Sequence, residues 1–162
     1  MCWAKKPRSS NGEHKVAIRK LRILSPIHRA TRQIHLYLEH EVGSHGVSNN
    51  EGHLLTYLLS YEPSSIGELL RVFGFKRSTM TSMLDRLEEA KLLKRYTYAE
   101  DRRSWLVELT ASGRTKAGDV RKIVDRFEQE VVGKVSSEEM KHFQRVIDAV
   151  GEVTAVEIHR RN

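Results

Sequence analysis

The stretch that decides the fold is residues 66–109, IGELLRVFGFKRSTMTSMLDRLEEAKLLKRYTYAEDRRSWLVEL. Its first eight residues carry apolar side chains at helical spacing, and Gly74 is placed to end a short helix. A further helix begins near Arg77. Its apolar positions, which also repeat at helical spacing, are Met80, Leu84 and Leu87, with Met83 alongside. Two helices separated by about three residues around a glycine are typical of a helix-turn-helix.

Beyond the second helix the apolar pattern changes from helical to alternating. Residues 95–98 are rich in aromatic and β-branched side chains, and in residues 105–109 Trp105, Val107 and Leu109 alternate with their neighbours. The polar segment 100–103 lies between these two stretches, so the sequence predicts a β-hairpin with a charged tip. A helix-turn-helix followed directly by such a hairpin indicates a winged helix. The predicted fold class is therefore mainly α with a small β-wing (α+β).

The side chains facing away from the apolar stripe of the second helix are suited to reading double-stranded DNA. Hydroxyl groups bind phosphates and base edges, and an arginine fork reads guanine in the major groove. The candidate major-groove residues are Arg77, Ser78, Thr79, Thr81, Ser82 and Arg86. An arginine of the hairpin tip, Arg102 or Arg103, is drawn to the negative potential of an adjacent minor groove.

Helical patterns flank the predicted winged helix on both sides. Before it, Ser25 and Pro26 suggest the cap and first residue of a helix over 26–42, and Ser48 with Glu51 forms a capping box for a second helix. After it, Thr110 is placed to cap a long helix. A second capping box, Ser136 with Glu139, opens the last helix. We divide the chain into a basic arm (1–24), two helices (25–62), the winged helix-turn-helix (63–110) and two further helices (111–162).

The charge of the chain is unevenly distributed. Its 162 residues include 28 Lys and Arg against 21 Asp and Glu, a formal net charge of +7. Residues 1–35 alone carry nine basic side chains and one acid, whereas residues 63–113 carry nine and seven. A basic excess favours a polyanionic partner, either nucleic acid or an anionic membrane surface. Because the predicted winged helix holds little of the excess, specific reading depends on where its arginines lie.

Several classes of protein are disfavoured. A single cysteine, Cys2, allows no intrachain disulfide and no multi-cysteine zinc site. No apolar run approaches 18 residues and no secretory signal pattern is present, so we expect a soluble, cytoplasmic protein that does not use a membrane. The chain has no glycine-rich phosphate loop, no GxSxG elbow and no carboxylate pair between strands. We therefore expect no enzymatic activity and no required cofactor.

From Ser65 to Gly113 the chain resembles the MarR family of bacterial winged-helix transcriptional regulators. The segments that carry the resemblance are Ile66–Leu70, Arg77–Thr81, Leu84–Glu89, Leu92–Arg95, Asp101–Ser104 and Leu106–Thr110. The chain departs from the family where Lys76 replaces a small polar cap of the recognition helix and where Lys91 replaces a glycine after it. A non-glycine residue then has to adopt a left-handed conformation at position 91.

The resemblance implies a homodimer whose first helix and last two helices interlock across a two-fold axis, binding a pseudo-palindromic operator. It implies a repressor released by a small-molecule effector of unknown identity, held between the dimerisation and DNA-binding parts. By position it places the residues of the second helix in the major groove. In the wing, it places Arg102 or Arg103 in the minor groove and makes Asp101 a brace for the wing arginine.

Two alternatives remain open at this stage. A metal- or pH-responsive regulator of the same fold would use histidines of residues 28–53. The candidate ligands there are His35, Glu39, His40, Glu41 and His45, although no HExxH pattern supports them. The other alternative is a constitutive non-specific nucleic-acid-binding protein driven by the basic arm.

Overall fold

The computed structural model describes residues 21–97 and 105–155. Within them, six helices and three short strands follow one another along the chain, which confirms a mainly α fold with a small sheet. The elements are α1 (Leu24–Gly43), α2 (Asn49–Tyr61), β1 (Ser64–Ser65), α3 (Ile66–Phe73), α4 (Arg77–Glu89), β2 (Leu93–Thr97), β3 (Trp105–Leu109), α5 (Ala111–Val132) and α6 (Ser137–Thr154).

The core lies where α2, α3 and α4 meet the sheet and the first half of α5. Its fully buried side chains come from every one of these elements. They include Leu54, Leu55 and Leu58 of α2, Leu69 of α3, Met80 and Leu84 of α4, Val107 of β3 and Ala117 of α5. Met83 and Leu87 of α4 are also buried, so the apolar stripe predicted for that helix faces inward as expected.

Most of the predicted helix ends are confirmed by side-chain contacts. Ser48 and Glu51 form the capping box of α2, and Ser136 and Glu139 form the same motif at α6. The hydroxyl of Thr110 accepts a hydrogen bond from the backbone N–H of Gly113 at the start of α5. Gly74 ends α3 with φ of 64°, the left-handed conformation that glycine adopts without a steric penalty.

The predicted start of α1 is wrong. The helix begins at Leu24, one residue before Ser25, and Ile23 occupies the cap position without a side-chain hydrogen bond. Pro26 is accommodated inside the first turn, because backbone N–H groups there have no intrahelical acceptor to lose. The first bond of the helix runs from the N–H of Ile27 to the carbonyl of Ile23.

The sheet contains a strand that the sequence pattern did not reveal. β1 is only two residues long and pairs antiparallel with β3, placing Ser64 opposite Val107. β3 is therefore the central strand, with β2 on its other side and Leu93 opposite Leu109. β2 also begins at Leu93, two residues before the predicted start, because Leu93 is buried and paired with Leu109.

Two backbone segments lie close together where α5 begins. A Cβ atom placed on Gly113 would lie 1.7 Å from the carbonyl oxygen of Leu92, so no larger residue fits without moving the backbone. The hydroxyls of Thr110 and Ser112 both donate to the carbonyl of Lys91. Lys91 itself has φ of 59°, the left-handed conformation expected from the missing glycine. The end of α4 and the start of α5 are thus joined at one point.

Candidate nucleic-acid interface

The exposed face of α4 is polar and carries the whole predicted major-groove set. Residues 80, 83, 84 and 87 are buried, so the remaining positions of the helix point outward. All six predicted residues are exposed: Arg77, Ser78, Thr79, Thr81, Ser82 and Arg86. The structure therefore presents two guanidinium groups and four hydroxyls on one helix face, with no apolar side chain among them.

The start of α4 lacks a side-chain cap. Lys76 has an extended backbone at the cap position, but its ammonium group donates hydrogen bonds and cannot accept one from the first turn. Its positive charge also opposes the partial positive charge of a helix N-terminus. An anion placed there would relieve both, and a phosphate of the nucleic-acid backbone has the required charge and acceptor atoms.

Arg86 is held by a carboxylate from another helix. Its Nε donates to Oε1 of Glu51 over 2.8 Å, and its Nη1 donates to the Ser82 hydroxyl over 2.9 Å. Burial raises the pKa of Glu51, but hydrogen bonds from Ser48 and from the guanidinium of Arg86 outweigh that effect and leave its pKa below the ordinary value. Glu51 is therefore charged at neutral pH and pairs with Arg86.

The sequence patterns did not identify this role for Glu51. The capping box made the residue visible as a helix start, and that prediction is confirmed. Its contact with Arg86, 35 positions later, depends on how α2 and α4 pack. Residue spacing within one helix does not predict that packing.

The base of the hairpin is pinned to α4 by Arg95. Its guanidinium pairs with Glu88 and lies 2.7 Å from the carboxylate of Asp85. Its backbone N–H also donates to Glu88, over 3.0 Å. The hydrogen bond from Arg95 lowers the pKa of Glu88, and the same contact raises the pKa of Arg95. Both partners stay charged near neutral pH, so β2 is fixed relative to α4.

Trp105 opens a cleft between the hairpin and α4. Its side chain is 48% exposed at the start of β3. The cleft has a volume of about 360 Å³ and is lined by Trp105 together with Ile66, Thr81, Glu88 and Arg95. The residues predicted for the wing tip, Asp101, Arg102 and Arg103, lie outside the described residues, and their roles stay predictions.

The histidine-rich region does not assemble the predicted metal ligands. Glu39 accepts a hydrogen bond from the backbone N–H of Asn49, whose side chain contacts the ring of His35. Glu41 contacts His40 instead of His45. Across residues 21–97 and 105–155, no group of three or more His, Cys, Asp or Glu side chains is placed to hold a metal ion. The acids have other partners because α1 packs beside the first turn of α2.

A cavity of about 420 Å³ lies between α1, α2 and α5. Its walls combine aliphatic side chains with hydroxyl, amide and imidazole groups. The residues that line it are Thr31, Ile34, His35, Leu38, Val42, Asn49, His53, Thr56, Val120 and Val124. The ring of His53 packs edge-on against Phe73, and burial lowers its pKa below the ordinary value of 6.5. The cavity walls thus include no Asp, Glu, Lys or Arg side chain.

An apolar surface remains open on α1 and α6. α6 contributes no buried residue, although it carries Met140, Phe143, Val146 and Val153. Phe143 is 57% exposed and lines a groove of about 250 Å³ with Ile23, Ile27 and Val146. Exposed apolar side chains clustered in this way are typical of interaction surfaces. None of the described helices is long and apolar enough to cross a bilayer.

Comparison with known proteins agrees with this architecture. Residues 47–105 match the family model described as the MarR family. An uncharacterized HTH-type transcriptional regulator of Bacillus subtilis, YdgJ, is 31% identical over 96 residues, which are 59% of this chain and 58% of that protein. The chain thus matches under two thirds of the length of that relative.

Solved structures show the same fold at lower identity. The S. aureus MepR–DNA complex has a TM-score of 0.75 at 21% identity, covering 85% of this chain and 100% of that one. A mutant MarR from E. coli complexed with operator DNA has a TM-score of 0.70 at 20% identity, covering 78% of this chain and 91% of that one. These likenesses establish the winged-helix fold with its flanking helices.

Proposed function

We propose that this chain, whose residues 47–105 match the MarR family model, is a transcriptional regulator of that family that binds double-stranded DNA as a homodimer. Its target is a pseudo-palindromic operator, its effect is repression, and a small-molecule effector releases it. DNA complexes among the structurally similar proteins support the choice of partner.

The observation that carries the proposal is the exposed face of α4. Six arginine, serine and threonine side chains lie on it, while four apolar residues fix the other face in the core. Such a helix fits the major groove, where base edges present distinguishable patterns of donors and acceptors. The Arg95 ion pairs hold the hairpin beside that helix, as a wing that reaches the next groove requires.

The open apolar surface of α1 and α6 supports the homodimer. Water contact with Phe143, Met140 and Val146 is unfavourable, and a second copy offers the same apolar side chains in return. A two-fold dimer places two α4 helices on one face. The operator then mirrors that symmetry, with half-sites one helical turn apart.

The cavity between α1, α2 and α5 supports release by a small molecule. It is large enough for a drug-sized ligand and lies beside the first turn of α2, which contacts α4 through Glu51. Its aliphatic walls, interspersed with a few hydroxyl, amide and imidazole groups, suit a largely apolar effector. A ligand that prefers the non-binding spacing of the two recognition helices by a few kcal/mol is sufficient to shift the population.

Competition binding tests the proposal. Duplexes selected by the chain from a random pool should bind at least about a thousandfold more tightly than random duplex. Arg103→Ala should weaken binding and reduce the slope of log K against log salt by roughly one unit. The reason is the loss of one cationic side chain that neutralises phosphate charge on the DNA. Lys122→Ala, on the exposed side of α5, is the matched control and should leave both values unchanged.

Equal affinity for selected and random duplexes would contradict the proposal that the chain is a sequence-specific regulator. It would favour instead a non-specific nucleic-acid-binding protein driven by the basic residues of the N-terminal arm.

A further inference from the structure

The first turn of α2 meets the recognition helix at a single carboxylate. Glu51 is 8% exposed, and its two oxygens have different partners. Oε2 accepts from the backbone N–H and the hydroxyl of Ser48, each over 2.9 Å, and Oε1 accepts from Nε of Arg86 over 2.8 Å. The capping box therefore fixes the carboxylate, and the carboxylate contacts Arg86.

We propose that Glu51 is a positioning residue for DNA recognition, which orients the guanidinium of Arg86 so that its remaining N–H groups face the base pairs. The inference rests on the proposed function, since it assigns a supporting residue to the same helix face. Nothing in the family resemblance or in the local sequence pattern assigns this role to Glu51.

The hydrogen bonds on Arg86 leave the outer part of its fork available. Nε is bound to Glu51, and Nη1 donates to Ser82 one turn earlier on α4. A guanidinium has five N–H donors, so the outer groups of Nη1 and Nη2 stay free to reach the acceptors of a base. The side chain is 58% exposed, so it remains accessible from the groove.

Fixing this side chain matters because a free arginine is flexible. A long side chain loses rotamer freedom when it binds, and a partner that orders it beforehand removes part of that cost. Because Glu51 is buried and hydrogen-bonded to Ser48, it offers a fixed anchor, unlike a mobile surface carboxylate. The orientation of Arg86 is thereby set by the packing of α2 against α4.

The chain offers a matched control for the capping function of Glu51. Ser136 and Glu139 form the same capping box at α6, with equivalent hydrogen bonds of 2.8 Å, but Glu139 is exposed and contacts no arginine among the residues that the structure describes. Glu51→Gln and Glu139→Gln therefore remove the same cap charge. Glutamine has a donating NH2 group in place of one of the two acceptor oxygens, so either Ser48 or Arg86 loses its acceptor.

The experiment measures the ratio of affinities for selected and random duplex in the full chain. Glu51→Gln should lower this ratio about tenfold, the effect of losing one well-oriented base contact, whereas Glu139→Gln should change it less than twofold. Arg86→Ala should lower the ratio at least as much. In the Arg86→Ala background, Glu51→Gln should have no further effect.

Failure of the positioning role of Glu51 can be distinguished from failure of the proposed DNA-binding function. A wild-type chain without sequence preference would contradict the proposed function itself. A wild-type chain with preference, lost in Arg86→Ala and retained in Glu51→Gln, would overturn the positioning role even if the melting temperature fell.

An unchanged ratio in Arg86→Ala would overturn it as well. If Glu51→Gln does not fold, Arg86→Lys keeps the charge but lacks Nε, and a retained ratio in that variant would contradict the inference.

Discussion

The winged-helix core and helix α6 differ in how far they bury their apolar side chains. From Val42 to Ile123, buried side chains of successive elements pack into one core, and several are fully inaccessible to solvent. α6 spans eighteen residues with a clear apolar stripe and buries none of them. The core is complete within the described residues, whereas the apolar face of α6 is left uncovered by them.

The polar contacts show the same difference. In the core, charged pairs join separate elements, such as Arg86 with Glu51 and Arg95 with Glu88. The ion pair of Arg145 with Glu152 lies within α6 itself. Exposed pairs of that kind contribute little to stability. The winged helix is therefore held by its own packing, while α6 gains little from contacts with the other described elements.

The largest expected effect comes from breaking the core where α5 begins. Gly113→Ala should lower the free energy of unfolding by more than about 3 kcal/mol, because the new Cβ would lie 1.7 Å from a backbone oxygen. Chemical denaturation measures this loss. Gly118→Ala is the matched control, since open space surrounds that glycine within the same helix. Equal stability of the two variants would contradict the close approach.

The next effect concerns the apolar face of α6. Phe143→Asp should shift the chain from dimer to monomer, weakening self-association by at least about a hundredfold, because a charge would be buried in the contact between copies. Analytical ultracentrifugation measures the shift. Lys141→Asp, at an exposed neighbouring position, controls for charge on this helix. A mass unchanged by Phe143→Asp would show that this face is not where the copies meet.

A smaller effect is expected on the pH dependence of stability, through His53 in the cavity between α1, α2 and α5. The pKa of His53 is lowered on folding, so the unfolded chain takes up a proton first as the pH falls below 6.5. Stability should therefore be complete above that pH and decline below it, by at most a few degrees in Tm. His53→Gln should remove this part of the decline between pH 7.5 and 5.5. The exposed His40→Gln should leave it in place, and identical profiles for all three proteins would refute the assignment.

The smallest effect is expected at the joint between α4 and β2. Lys91→Gly should raise the free energy of unfolding by at most about 1 kcal/mol, because glycine adopts φ of 59° without the steric cost that lysine meets. The gain is limited by the greater flexibility of glycine in the unfolded chain. Thermal melting detects it, and a clear destabilisation would mean that the lysine side chain has a stabilising contact.

The sequence predicts the elements more fully than their contacts. Capping boxes at Ser48 and Ser136 and the apolar stripe of α4 are local signals, and the structure confirms them. β1 was not predicted from the sequence, because its two serines form a strand only by pairing with β3. The Glu51–Arg86 contact was not predicted for the same reason. Like β1, it depends on packing between segments that are distant in the chain.

Selection of bound duplexes from a random pool tests the central claim most directly. Two copies of this chain, each presenting α4 on the same face, should enrich an inverted repeat whose half-site centres lie about 10 base pairs apart. Such a repeat would support both the sequence preference and the two-fold assembly in one measurement. Enrichment of a single half-site, or of no motif, would contradict the account.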